Sequence, residues 1–92
     1  MIESFRHRGL KRLYERGDRS KLNAALVERI EDALALLDVA GRQQDLDLPG
    51  LRLHALKGDL KGFWSVTLSG NWRLIFRFAD GDAHDVDLLV YH

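Results

Sequence analysis

Phe63-Trp64-Ser65-Val66-Thr67-Leu68-Ser69-Gly70-Asn71-Trp72-Arg73-Leu74-Ile75-Phe76-Arg77-Phe78 alternates apolar and polar side chains on either side of a Gly-Asn pair. Successive side chains of a strand point to opposite faces, so this alternation predicts two half-buried strands, Phe63 to Ser69 and Trp72 to Phe78. Gly70-Asn71 is the hairpin turn between them. Asp80-Gly81 predicts the next tight turn, and Ala83 to Val90 a third strand. Upstream, Leu51 to Leu56 reads as a further strand, joined to the hairpin by the loop Lys57-Gly58-Asp59-Leu60-Lys61-Gly62. Period two also assigns faces. Trp64, Val66, Leu68, Trp72, Leu74, Phe76, Phe78, Val86 and Leu88 make one apolar surface, joined by Leu51, Leu53 and Ala55. Ser65, Thr67, Arg73, Ile75, Arg77, Asp85, Asp87, Leu89 and Tyr91 occupy the other, with Arg52, His54 and Leu56.

Towards the N-terminus the period changes. Ile2 to Arg6 is apolar enough for a short opening strand. Leu10, Leu13 and Tyr14 then fall at helical spacing between Gly9 and Gly17, in a short basic helix. Asn23 is a candidate N-cap for the longest helix, whose stripe is Leu26, Val27, Ile30, Ala33, Leu34 and Leu37, with Glu28, Arg29, Glu31 and Asp32 facing water. Gly41 is its expected stop, and residues 43–50 a loop. A strand, two helices and an antiparallel meander predict an α+β fold with helices on one face of the sheet, as one domain over residues 1–92.

The 92 residues carry no cysteine, which excludes a disulfide scaffold and a thiolate zinc site and fits a reducing compartment. The opening residues lack the apolar run of a signal peptide, and no stretch is long enough to span a bilayer. The net charge of zero conceals segregation: Arg6 to Lys21 has seven bases against two acids, and residues 22–51 two against six. Arg52 to Arg77 then has five against one, and residues 78–92 four acids and no Lys or Arg. Alternating blocks of this kind predict one face for phosphates and another for a basic partner, or simply a solvated surface.

Cleaving RNA without a metal needs a base for the ribose 2′-hydroxyl, a cation for the charge growing on the phosphate, and an acid for the leaving 5′-oxygen. Histidine serves either proton transfer because its ordinary pKa is about 6.5. The open face offers His54, Arg73 and Tyr91, with His92 at its margin. Arg73 and Lys57 can clamp phosphate, Arg77 shares the face as a further substrate-binding candidate, and Tyr91 can stack on a base or lend its hydroxyl. The competing reading pairs Arg73 and Arg77 with Asp85 or Asp87 across the strands and leaves His54 as a surface residue. His7 and His84 read as solvated. No compact His/Asp/Glu spacing points to a metal, and no cofactor is expected.

The run Leu53-His54-Ala55-Leu56-Lys57-Gly58-Asp59-Leu60-Lys61-Gly62-Phe63-Trp64-Ser65-Val66-Thr67 resembles the LHPLKGD…GYWSI region of HigB toxins, in the RelE/ParE superfamily. Asn71 to Phe78 resembles their NWRI strand, and Gly81-Asp82-Ala83 their GDA turn; with Ile2 to Leu10 and Tyr91-His92 the likeness spans the chain. The resemblance implies a RelE-like fold and a cytoplasmic toxin of a type II toxin-antitoxin system that cuts messenger RNA in the ribosomal A site without metal. It implies site residues at His54, Lys57, Arg73, Tyr91 and His92. It also implies a helix-turn-helix antitoxin, HigA, through which alone the toxin meets operator DNA. The alternatives are a ParE-like toxin that inhibits DNA gyrase by binding, and an attenuated toxin acting mainly through its antitoxin complex. The second arises because the family commonly ends Asp-Tyr-His where this chain has Val90-Tyr91-His92. An acid restored at Val90 is expected to raise cleavage, unless the histidines suffice or Asp87 or the C-terminal carboxylate substitutes.

Overall fold

A computed structural model describes residues 1–91. Helix α1 spans Arg8–Arg16 and α2 spans Val27–Val39; strands β1 to β4 are His54–Ala55, Trp64–Ser69, Trp72–Ala79 and Asp82–Val90. The four strands form one antiparallel sheet in the order β1-β2-β3-β4. Short 3-10 turns at Gln43–Leu46 and Gly58–Leu60 punctuate the two long connections. Asp80 and Gly81 both have positive φ, 55° and 82°, in the β3–β4 turn. The right-handed twist of the flanking strands favours that geometry, which Asp-Gly adopts readily.

Both helices pack on one side of the sheet. Leu10 and Leu13 from α1 and Ile30, Leu34 and Leu37 from α2 are buried against Val66, Leu68, Leu74, Phe76 and Val86. Trp64 and Trp72 lie on this side as expected but are only half-buried, at the margin of the core. α1 stops at Gly17, whose φ of 68° lets its N–H reach back to Arg12 and Leu13. His7 is not simply solvated: its Nδ1 caps α1 by accepting from Leu10 N–H at 3.2 Å.

Several expected boundaries shift. Asn23 accepts from the backbone of Ala25 and Leu26, so it nucleates a turn that precedes α2. Gly41 follows an extended cap at Ala40, and its N–H donates to Asp45. The opening segment does not form a regular strand. It runs parallel to β4 through bridges at Ile2–Ala83 and Phe5–Val86. Between them Asp85, with φ 54°, makes a bulge in β4 that interrupts the ladder and brings both Ala83 and Val86 into the core. The strand expected at Leu51 to Leu56 shrinks to His54–Ala55 because Arg52, at φ 52°, breaks the extended backbone. Ala55 pairs with Trp64 and so takes the helix side, yet it is exposed because neither helix covers that edge.

The Asp38 carboxylate ties three elements together. It accepts from the Tyr14 hydroxyl and from Ile2 N–H. These bonds hold it below the usual carboxylate range, while the same contact pushes the Tyr14 hydroxyl up to about 12. A depressed carboxylate contributes stability above its unfolded pKa, and that contribution is lost as pH falls through the folded value. Melting temperature is therefore expected to drop as pH falls below about 4, with Asp38→Asn flattening that acid limb. Parallel acid limbs in both proteins would contradict this.

Candidate active site

The face of the sheet away from the helices carries two lateral rows. His54, Ser65, Ile75 and Asp87 lie opposite one another from β1 to β4, and Thr67, Arg73 and Leu89 form the next row. Ser65 and Ile75, each only 2% exposed, form a closed floor. Above it opens a cleft of about 320 Å³, lined by Arg52, Leu53, His54, Ser65, Thr67, Arg73 and Tyr91. Phe63, buried just before β2, lies under the Arg6 guanidinium at 5.0 Å.

Arg73 is held in place by its own turn. Its Nη1 donates to Gly70 O at 2.8 Å and Trp72 O at 3.1 Å, and the guanidinium lies 5.1 Å from the Tyr91 ring centroid. Charge on the remaining N–H groups has no carboxylate partner among the described residues. His54 is exposed on the two-residue β1, opposite Ser65. Two strand spacings and two residues of rise put the Cα atoms of His54 and Arg73 about 12 Å apart. An imidazole and a guanidinium can close on one phosphate from opposite sides over that span.

The structure thus brings His54, Arg73 and Tyr91 to one cleft. It does not bring Arg77 or Lys57 to its wall. Arg77 Nε pairs with Asp85 Oδ2 at 2.7 Å, the cross-strand neutralisation expected as the competing reading, and this holds the Asp85 carboxyl below its usual range. Lys57 is exposed at the start of the Gly58–Leu60 turn. His92 lies outside the described residues. His84 is half-buried opposite Arg77 rather than free in solvent. Val90 stands opposite Trp72, on the helix side of β4. A carboxylate there would leave the strand on the far side from Arg73, so the gain expected for Val90→Asp has no geometric support. Arg52 is the cleft residue that residue types alone did not single out; its signal was its place two residues before His54 on an alternating segment. Among the described residues, no three His, Asp or Glu side chains converge as metal ligands would.

The sequence model of HigB-like toxins, described as the RelE-like toxin of type II toxin-antitoxin system HigB, matches residues 3–92. The chain belongs to this family. It is 45% identical over 92 residues to endoribonuclease HigB of Proteus vulgaris, covering the full length of both. It is 35% identical over 85 residues to toxin HigB-1 of Vibrio cholerae, covering 90% of each chain. Solved structures show the same fold. A chain of the YoeB-YefM complex from Staphylococcus aureus superposes with TM-score 0.62 at 17% identity, over 100% of this chain and 98% of that one. YafQ from E. coli gives 0.58 at 14% identity, over 98% and 93%. The RelE-like α+β fold is therefore established for this HigB-like toxin, and a toxin of a type II toxin-antitoxin system has an antitoxin as its partner. Among the described residues, no helix is long and apolar enough to cross a membrane.

Proposed function

We propose that this HigB-like toxin is a ribosome-dependent endoribonuclease of the cytoplasm that cleaves messenger RNA with side chains alone. The observation that carries the reading is the shared cleft: an exposed imidazole, His54, faces a guanidinium without an ion-pair partner among the described residues, Arg73, across a floor of Ser65 and Ile75. Its likeness to the Proteus vulgaris endoribonuclease points the same way. Arg73 stabilises the charge that develops on the phosphate. His54 and His92 share the two proton transfers, one taking the 2′-hydroxyl proton and the other protonating the 5′-oxygen as the bond breaks. Tyr91, already stacked with Arg73, orients it and offers a ring to an unstacked base. Lys57 and Arg77 are assigned to the flanking backbone, Arg77 after exchanging Asp85 for phosphate.

The test is translation of a defined message with mapping of the cuts by primer extension, with and without ribosomes. Cuts that need ribosomes and persist with a chelator support the proposal. Growth arrest with no cut at all would instead favour a toxin that acts by binding alone.

The antitoxin is proposed to be of the helix-turn-helix HigA type, with operator DNA reached only through it. Arg8, Lys11, Arg12 and Arg16 are exposed on α1 and border one shallow groove. If acidic antitoxin side chains meet this surface, added salt slows association. The expected result is a weaker complex at higher ionic strength, relieved by Lys11→Glu with Arg16→Glu only through loss of affinity at low salt. Salt-independent affinity would move the interface to an apolar surface.

A further inference from the structure

Arg52 keeps a left-handed backbone, φ 52°, where a side chain carries a steric cost that glycine avoids. The local pairing shows what this conformation achieves. Thr67 N–H donates to Leu51 O at 2.7 Å, and His54 stands opposite Ser65. Three steps along the edge segment therefore oppose two along β2, which is the arithmetic of a β-bulge. Bulges bend a strand and re-aim its side chains. Here the re-aimed residue lines the cleft beside His54, with Arg73 on the opposite wall. A strained residue retained beside a site is a reason to seek its role there.

Charge supplies a second, independent observation. Arg52, like Arg73, has no carboxylate within ion-pair distance among the described residues, whereas Arg77 on the same sheet face is matched with Asp85. Two unneutralised guanidiniums thus flank Thr67, one from the edge segment and one from β3. Guanidinium forks match phosphate oxygens, and a polyanion with regularly spaced phosphates can engage both at once.

We infer that Arg52 is a second phosphate-binding residue of the cleft, gripping the RNA backbone next to the phosphate engaged by Arg73. The identity of the polyanion rests on the nuclease reading; the geometry of the second grip does not. Because the backbone is left-handed, Arg52→Gly removes the cation while relieving the strain, and Arg52→Asn is a second neutral variant compatible with this conformation. Arg52→Lys retains the charge.

The experiment is single-turnover cleavage of ribosome-bound message as a function of toxin concentration, at several salt concentrations. For Arg52→Gly and Arg52→Asn the half-saturating concentration is expected to rise about tenfold, with less than about a threefold fall in plateau rate. The slope of log affinity against log salt should decrease by about 0.7, the value for one lost contact to a single strand. Arg52→Lys should recover most of the affinity. A merely structural role would lower plateau rate and melting temperature together and would not track charge. Unchanged half-saturation in both neutral variants overturns the inference. If the wild-type toxin binds programmed ribosomes without cutting, the nuclease reading fails. Binding isotherms on ribosomes carrying labelled message then decide Arg52 separately, since a tenfold weaker Arg52→Gly supports the second grip and equal affinity overturns it.

Discussion

Arg73→Ala is expected to slow single-turnover cleavage of ribosome-bound message by roughly 10²–10³-fold, the usual effect of removing a preorganised group from a developing anion. Preorganisation is visible in the fold. The Gly70-Asn71 turn presents the Gly70 carbonyl that pins Nη1, and Tyr91 confines the guanidinium from its face. Loss of His54 or His92 should each cost roughly 10²–10⁴-fold, as for a general acid or base. None of the three changes should lower the melting temperature by more than a few degrees. His54 is exposed, and Arg73 makes its hydrogen bonds at the surface of a turn. Tyr91→Phe retains the stack on Arg73 and should be milder than Tyr91→Ala. The comparison is made after each variant is shown to bind ribosomes. Wild-type rates in both Arg73→Ala and His54→Ala would remove the cleft from the mechanism.

Phe76→Ala is expected to destabilise the protein by about 3–5 kcal/mol, the range for deleting a fully buried aromatic side chain. Phe76 is 0% exposed, sits in the middle of β3 and meets Phe78 edge-on at 5.8 Å. The loss is a large part of what a domain of this size possesses, since stabilities run to about 5–15 kcal/mol. Chemical denaturation at neutral pH measures it. Trp72→Ala should cost less, about 1–3 kcal/mol, because Trp72 is only half-buried at the rim. The reverse order would mean that the core is centred on the hairpin end rather than on the middle of β3.

Local pattern carried most of the architecture. The alternation from Phe63 to Phe78 sorted Val66, Leu74 and Phe76 from Ser65, Arg73 and Ile75 without error, because the sheet has one face under helices. The α2 stripe is buried as read, since helical spacing puts Leu26, Ile30, Leu34 and Leu37 on one side whatever they pack against. Burial was less legible than facing. Ile75 lies on the open face yet is 2% exposed, and Ala55 faces the helix side yet is exposed. Whether a face is covered depends on segments distant in sequence.

For the site, the residue types and the family likeness named His54, Arg73 and Tyr91, and the fold groups these three around one cleft. The same types also named Lys57 and Arg77, which the fold sends elsewhere; Arg77 is matched with Asp85 because a bulge in β4 brings that acid to it. Alternation put Arg52 on the open face, but the bulge that seats it in the cleft was hidden. Bulges at Arg52 and Asp85 leave no clear mark in an alternating pattern, since each side chain is allowed in ordinary strand backbone and the left-handed φ is imposed by pairing with a neighbouring strand.

Strand and helix periodicity, the turn at Asp80-Gly81 and the choice of sheet face were therefore settled by the sequence itself, because each depends on residues within one or two turns of chain. Registers, bulges and the meeting of the Arg52 segment with β3 across Thr67 were decided only in the tertiary structure. Those depend on hydrogen bonds between segments tens of residues apart, and a one-residue offset there moves an arginine into a cleft or hands it to an aspartate.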